Sequence, residues 1–145
     1  MKVMENQTFD MERALYGSNG LIVKNCSFDG PADGESAFKE SKDIETEHCF
    51  FNLRYPFWHD DGLIIRDCEM TELCRAALWY SNHVKIVGTK MHGIKALREC
   101  SDVTIENSDI VSPEFGWSVR NIQMRHSTAP VSYTHLRAHE TLRHL

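Results

Sequence analysis

Residues 63–70 read Leu-Ile-Ile-Arg-Asp-Cys-Glu-Met, and this stretch decides the fold because the chain repeats its pattern. The pattern has aliphatic residues at positions one and three, a turn-former at five, a small residue at six and a large apolar residue at eight. It returns at residues 21–28, 44–51, 84–91 and 103–110, and a sixth copy begins at residue 122. The copies start 19 to 23 residues apart. One strand pattern in each period of about twenty residues is typical of a solenoid.

A second pattern precedes the copies. Six residues before the start, five of the six coils carry a large apolar residue: Leu15, Phe38, Phe57, Leu78 and Leu97. The residue directly before the start and the fifth position of the pattern are mostly Gly, Asn, Asp or His, which tolerate left-handed backbone angles and favour turns. Each coil is therefore expected to contain three short strands separated by bends.

These features predict an all-β chain, folded as a single-stranded right-handed parallel β-helix of about six coils with roughly 20 residues each. Each coil is expected to hydrogen-bond to its neighbours, because no coil buries its apolar face alone. A leucine-rich repeat is the alternative architecture for this period. It fits less well, because the strand ending Asn-Cys-x-Phe lacks the leucine ladder and the copies vary in length.

The repeat also predicts a domain boundary near residue 128. Residues 1–128 are expected to form the β-helix domain, in which residues 1–12 are either a first irregular coil or a cap. Residues 129–145 carry no copy of the pattern and resemble the translated read-through of a sequencing adapter. We therefore expect a non-native tail. The β-helix itself is expected to be the N-terminal part of a longer native protein, truncated at its C-terminal end.

The composition limits the classes of partner. The chain has 21 acidic and 16 basic residues and a net charge of −5. No nucleic-acid partner is expected, since phosphate binding needs a basic surface. No apolar run approaches the ~20 residues that span a bilayer, so no membrane association is expected. The N-terminal residues lack the apolar core of a secretory signal, which favours a cytoplasmic location. The oligomeric state stays open.

The five cysteines show no spacing typical of a zinc site. Three of them share the sixth position of the pattern: Cys26, Cys49 and Cys68. In stacked coils their parallel side chains would lie about one strand spacing (~4.8 Å) apart, which suits a disulfide poorly. We expect a buried column of reduced thiols, beside an aliphatic column formed by the third position: Val23, Ile65, Ile86 and Ile105. No cofactor and no metal ion are expected.

The position five residues before each copy is the candidate ligand-binding feature. It forms what we call the aromatic column: Tyr16, Lys39, Trp58, Trp79, Arg98 and Trp117. Each of these residues follows an inward position, so strand alternation places them outward along one side of the solenoid. Aromatic faces suit sugar rings, and the two cations suit a carboxylate. His59 and Tyr80 are neighbours in adjacent coils and join the candidate ligand-binding set.

A shallow trough is expected beside the aromatic column. Two residues before each column member, the chain carries a mostly small residue that alternation also places outward: Ala14, Ala37, Pro56, Ala77, Ala96 and Phe115. A row of rings and cations next to such a trough would form a ligand groove.

Acid–base chemistry has several candidates near the column and at the coil corners: Glu35, Glu40, His59, Asp60, Asp61, Glu72, His92 and Glu99. A polysaccharide lyase would need clustered carboxylates for calcium and an Arg or Lys base. A hydrolase would need two carboxylates roughly 5–10 Å apart. The adjacent pair Asp60 and Asp61 is placed at a bend, which favours turn residues. Whether the protein is an enzyme, and which residues would be catalytic, stays open.

The turn motifs, together with residues 55–60 (Tyr-Pro-Phe-Trp-His-Asp) and 77–81 (Ala-Leu-Trp-Tyr-Ser), carry a family resemblance. Over roughly residues 14–128 the chain resembles the pectin-lyase-like superfamily of right-handed β-helices. Within it, the chain is similar to an uncharacterised bacterial family, the domain of unknown function numbered three thousand seven hundred and thirty-seven. The resemblance implies the fold and no activity. In pectin-lyase-like enzymes the substrate groove lies along the side that carries the column.

These features are consistent with two functions. The first is carbohydrate binding or processing through the aromatic column. The second is a non-catalytic scaffold or protein-interaction solenoid, in which the column only packs, through cross-strand and cation–π contacts. Clustered acids or a deep cleft would favour the first function, whereas rings covered by their neighbours would favour the second.

Overall fold

The chain consists of parallel β-strands that stack into three sheets. A computed structural model describes residues 1–30 and 35–128. Within these residues sheet 1 has seven strands, one from each coil: Lys2–Glu5, Asn19–Lys24, Lys42–Glu47, Asp61–Arg66, Asn82–Val87, Ser101–Glu106 and Arg120–Arg125. The strands pair in the order in which they occur in the sequence, which is the arrangement of a β-solenoid.

Sheets 2 and 3 are made of two-residue strands. Sheet 2 contains Thr8–Phe9, Ser27–Phe28, Phe50–Phe51, Glu69–Met70, Lys90–Met91 and Asp109–Ile110. Sheet 3 contains Phe57–Trp58, Leu78–Trp79, Leu97–Arg98 and Gly116–Trp117. The described residues contain no helix, so the all-β solenoid predicted from the repeat is confirmed.

The eight-residue pattern sets the register of the coils. Its first positions stand opposite one another in successive strands of sheet 1: Leu21, Ile44, Leu63, Val84, Val103 and Ile122. The predicted in-register stacking of the copies is confirmed. The first residues form a coil and not a cap, because Lys2–Glu5 pairs with Asn19–Lys24 and Thr8–Phe9 pairs with Ser27–Phe28.

Columns of like residues fill the interior. The predicted aliphatic column is fully buried: Val23, Ile65, Ile86 and Ile105. The rings of Phe28 and Phe51 stack beside it with centroids 4.9 Å apart. The predicted thiol column is also buried and unpaired: Cys26, Cys49 and Cys68. Burial raises the pKa of Cys100 to about 12, so this interior cysteine is a neutral thiol at physiological pH.

Each coil turns at residues with left-handed backbone angles. The strands of sheet 1 end directly before the fifth position of the pattern, which is a bend, as at Asn25 (φ 52°) and Asp67 (φ 49°). A second bend precedes the pattern, as at Gly62 (φ 81°). Two further bends flank sheet 3, as at Tyr55 (φ 53°) and His59 (φ 59°). A left-handed residue interrupts the alternation of a strand, so residues on both sides of a bend can point inward.

Coil length varies at the corner between sheet 2 and sheet 3. In three coils the chain advances six residues from the end of a sheet 2 strand to the start of the next sheet 3 strand: Phe51 to Phe57, Met91 to Leu97 and Ile110 to Gly116. It advances eight residues from Met70 to Leu78 and ten from Phe28 to Phe38. The amide of Phe38 donates to the carbonyl of Pro56 at 2.9 Å, which places Phe38 in line with Phe57 and Leu78.

Residues 31–34 and the predicted tail, residues 129–145, lie outside the described part of the chain. Within the described part, no helix has the length and apolar content needed to cross a bilayer.

Candidate functional site

The six residues of the aromatic column lie in one line along the solenoid. Four of them stand opposite one another in sheet 3: Trp58, Trp79, Arg98 and Trp117. Backbone hydrogen bonds extend the line, because the amide of Glu40 donates to the carbonyl of Trp58 and the amide of Gly17 donates to the carbonyl of Lys39, both at 2.9 Å. The predicted alignment from Tyr16 to Trp117 is therefore present in the backbone.

The centre of the column is a closed stack of two rings and two cations. The rings of Trp58 and Trp79 are nearly parallel, at 6°, with centroids 4.7 Å apart. Lys39 Nζ lies 4.1 Å from the ring centroid of Trp58, and Arg98 Cζ lies 4.4 Å from that of Trp79. Each ring therefore has a ring on one face and a cation on the other. Both tryptophans are half-buried.

Two tyrosines pack against this stack. The ring of Tyr55 lies 5.6 Å from that of Trp58 and 5.4 Å from that of Trp79. Tyr80 stacks on Trp79 at 5.6 Å and keeps 44% of its surface exposed. The buried Trp79 Nε1 and Arg98 Nε have no hydrogen-bond partner among the described residues. The stack is therefore held by ring and cation–π contacts.

The two ends of the column make separate contacts. Tyr16 is 54% exposed, and Arg13 Cζ lies 5.9 Å from its ring centroid. Lys95 Nζ lies 5.2 Å from the ring centroid of Trp117. The column is thus continuous in its backbone, and cations also lie near the rings at both of its ends.

The trough predicted beside the column is wrong. Its members are buried, except Ala14, which is half-buried: Ala37, Pro56, Ala77, Ala96 and Phe115. The position directly before each of them is left-handed, as at Ala76 (φ 45°) and Lys95 (φ 53°). These bends interrupt the alternation on which the prediction rested, and neither residue type marks a turn in the sequence.

A polar groove lies on the other side of the column, between the end of sheet 3 and the start of sheet 1. Its volume is about 360 Å³. It is lined by Glu40, Ser41 and Lys42 from one coil, by His59, Asp60 and Asp61 from the next and by Asn82 from a third. Three acidic residues and one lysine are thus among the lining residues. Tyr80, from the coil that contributes Asn82, occupies the position that His59 occupies in the preceding coil.

The floor of the groove belongs to a ladder of small polar side chains. At the position three residues before three of the copies, a side-chain oxygen accepts a hydrogen bond from the backbone of the preceding coil. Ser41 Oγ accepts from the amide of Ser18 at 3.1 Å, and Asp60 Oδ1 accepts from that of Ser41 at 2.7 Å. Ser81 Oγ accepts from the amide of Asp60 at 3.3 Å and donates to the carbonyl of Phe57. Asp60 therefore takes the place of a serine.

Asp60 is a buried acid that uses only one of its two carboxyl oxygens, Oδ1, in this ladder. Its side chain is 1% exposed, and Oδ2 has no hydrogen-bond partner among the described residues. Burial raises the pKa of Asp60 to about 8; the amide of Ser41 opposes this change and the charge of Glu40 adds to it. A buried carboxyl avoids the cost of an uncompensated charge by keeping its proton. At pH 7 the floor of the groove therefore carries a neutral acid.

Pairs of imidazole and carboxylate groups form the rim. His59 Nδ1 lies 2.9 Å from both carboxylate oxygens of Glu40. His83 Nδ1 lies 2.7 Å from Asp61 Oδ1, and its Nε2 lies 3.4 Å from Asp102 Oδ2. The hydrogen bond with Asp61 raises the pKa of His83. These pairs orient the carboxylates of Glu40 and Asp61 at the edge of the groove.

The other acid–base candidates lie elsewhere. Glu35 is 3.9 Å from Arg54, His92 is 3.1 Å from Asp109, and Glu72 is exposed at the corner between sheets 2 and 3. Glu99, half-buried, follows Arg98 of the column. Among the described residues no three His, Cys, Asp or Glu side chains are placed to hold a metal ion.

The sequence identified only part of the groove. It favoured turn residues at Asp60 and Asp61, whereas Asp60 is the buried floor and Asp61 begins the strand Asp61–Arg66. It missed three lining residues: Ser41, Lys42 and Asn82. A signal was present, because these three occupy the same positions before the pattern as the two aspartates.

One comparison with known proteins identifies a family. The model of the family described as Protein of unknown function (DUF3737) matches residues 2–143. The chain belongs to this family. No curated protein matches the chain, and no solved structure does. DUF3737 is described without an activity, so membership of the family assigns no activity to this chain.

Proposed function

We propose that this β-solenoid binds a glycan in the polar groove, with the aromatic column as one wall and the start of sheet 1 as the other. The observation that carries the proposal is a groove of about 360 Å³ lined by hydrogen-bonding side chains, with the exposed Tyr80 at the position that the lining residue His59 occupies in the preceding coil. A sugar site needs aromatic rings as well as hydrogen-bonding groups, because a sugar ring has apolar faces and a rim of hydroxyl groups.

The side chains that line the groove offer hydrogen-bond donors and acceptors in three successive coils. The carboxylates of Glu40 and Asp61 accept hydrogen bonds at the rim, and the Lys42 ammonium group donates them. The Asn82 amide has both functions, and its oxygen already accepts a hydrogen bond from Ser101. Sugar hydroxyls donate and accept, so a row of such groups along the solenoid suits successive sugar units.

The tryptophans have a different role in this proposal from the one that the sequence suggested. Both faces of Trp58 and Trp79 are covered, so neither ring offers a face to a sugar. They support the coils beside the groove. The ring of Tyr80, which is 44% exposed, provides the apolar contact instead.

A glycan array followed by calorimetry on any ligand found tests the proposal. Tyr80→Asn removes the ring, and asparagine tolerates the left-handed backbone at this position (φ 52°). We expect this variant to bind about tenfold more weakly, the effect of losing roughly 1.4 kcal/mol of ring contact. Leu73→Asn, at an exposed corner residue outside the groove lining, is the matched control and should bind like the wild type. An array without signal, or equal binding by Tyr80→Asn, would reject the proposal.

A second candidate function is a non-catalytic scaffold or protein-interaction solenoid. The covered faces of Trp58 and Trp79 favour it, because a stack of this kind stabilises neighbouring coils without any ligand. Trp79→Ala should then lower the free energy of unfolding by roughly 1–3 kcal/mol, from the lost ring and cation–π contacts. Such a loss of stability, together with a silent array, is the result that would favour the scaffold.

A further inference from the structure

The charges around the groove narrow the class of glycan. Two carboxyl groups, those of Glu40 and Asp61, line the groove together with the buried Asp60. Each pairs with an imidazole, Glu40 with His59 and Asp61 with His83. Among the described residues that line the groove, Lys42 is the one lysine or arginine. The cations of the column, Lys39 and Arg98, lie over tryptophan rings and are not among the residues that line the groove. An acidic sugar would therefore meet like charges, whereas a cationic sugar would meet opposite ones.

We propose that the groove selects a glycan that carries protonated amines, an amino-sugar polymer, and holds an ammonium group between Glu40 and Asp61 above Asp60. This inference rests on the proposed glycan-binding function and deepens it. An ammonium group has three donors and no acceptor, so it needs a site rich in acceptors. The carboxylate oxygens of the rim supply them, and charge-assisted hydrogen bonds of this kind are the strong ones.

The unpartnered oxygen of Asp60 is the second observation that points to a cation. Its Oδ2 is buried without a hydrogen-bond partner among the described residues, and Asp60 is one of the residues that line the groove. A serine, which occupies this position in the neighbouring coils, would complete the ladder without leaving an unpaired oxygen. An acid at this position can lose its proton, and the resulting carboxylate would attract a cation bound in the groove.

Amine binding should therefore expel the proton of Asp60. The titratable groups that share the groove or the ladder with Asp60 are Glu40, Lys42, His59, Asp61 and Cys100. Of these, the charge of Glu40 raises the pKa of Asp60. An opposite charge within ~4–6 Å lowers the pKa of a carboxyl group by about 1 to 3. Starting from about 8, Asp60 would change from mainly protonated to mainly ionised near pH 7. The bound ammonium group and the new carboxylate would then stabilise each other.

Calorimetry on the full chain tests this inference with two matched probes. An oligosaccharide of glucosamine carries the amines, and the N-acetylglucosamine oligosaccharide of the same length has the same backbone without their charge. We expect the glucosamine probe to bind at least about tenfold more tightly, the value of one charge-assisted hydrogen bond. Glu40→Gln should reduce this preference and keep a partner for His59. Glu69→Gln, at an exposed residue of sheet 2 outside this groove, should leave it unchanged.

The proton is measured by repeating the titration at pH 7 in two buffers with different enthalpies of ionisation. Any proton exchange of the sugar amine itself is common to all variants, so the comparison of interest is wild type against Asp60→Ser. The wild type should release more protons, because serine has none to give in this range. Asp60→Ser keeps the ladder and is expected to fold.

Three results would count against the inference. Equal proton release by wild type and Asp60→Ser would show that Asp60 does not lose its proton when the amine binds. Tighter binding of the acetylated probe, or of an oligogalacturonate, would overturn the choice of amino sugars and leave glycan binding in place. Binding of no glycan at all, by a chain with native circular dichroism, would overturn both this inference and the proposed function.

Discussion

Replacing Asp60 by serine should make the stability of the protein less sensitive to pH. Burial raises the pKa of Asp60 from 3.8 to about 8 in the folded protein. Between these two pH values the folded chain binds more protons than the unfolded chain, so the free energy of unfolding falls as the pH rises. The stabilising contribution is complete below pH 3.8 and is lost as the pH rises through about 8.

The magnitude follows from the width of this window. Each pH unit within it changes the free energy of unfolding by about 1.4 kcal/mol, so Asp60 accounts for a loss on the order of 5 kcal/mol between pH 4 and pH 8. Asp60→Ser removes this loss and keeps an acceptor for the amide of Ser41. The variant should be no more stable than the wild type at pH 5 and clearly more stable at pH 8.

Urea unfolding at several pH values, followed by tryptophan fluorescence and by circular dichroism, measures this difference. Asp10→Ser is the matched control, because it makes the same substitution at an exposed residue. Its stability should follow that of the wild type across the range. If the curves of wild type and Asp60→Ser stay parallel from pH 5 to pH 8, Asp60 is ionised in the folded protein, and the argument from its burial is refuted.

Three further predictions concern the interior and the tail. Ile65→Ala should lower the free energy of unfolding by about 2–5 kcal/mol, because it leaves a cavity in a fully buried column, while Ile64→Ala, at a half-buried residue, should cost less in the same urea titration. A thiol reagent should label the native protein slowly and the urea-unfolded protein at once; rapid native labelling would contradict the burial of Cys26, Cys49 and Cys68. Deleting residues 130–145 should leave the melting temperature unchanged or higher, and a drop of several degrees would mean that this segment belongs to the native fold.

The sequence predicted the solenoid well where the side chains themselves mark the backbone. Aliphatic residues at alternate positions, followed by Asn25, Asp67 or their equivalents, determine both the strands of sheet 1 and the bends that end them. The first coil was ambiguous because Lys2 occupies the position that is aliphatic in the other copies. Hydrogen bonding to the next coil decides its structure, and such contacts depend on neighbours that the local pattern does not show.

The candidate site was predictable only in its alignment. Counting from the pattern placed Trp58 and Trp79 in one line, but the cover on their faces depends on the side-chain conformations of Lys39 and Arg98. The buried bend before the column was missed because residues such as Ala76 adopt a left-handed conformation without being turn-formers. The raised pKa of Asp60 follows from burial, which appears only once the coils are stacked.

The corner between sheets 2 and 3 has a consequence for how such proteins diversify. Its connections advance six, eight or ten residues, yet the residues on either side keep their partners in the adjacent coils. Insertions and deletions there are absorbed without a shift of register, so evolution can vary loops at this corner independently of the scaffold. The same property makes the corner next to Leu73 a suitable place to graft a recognition peptide or an affinity tag.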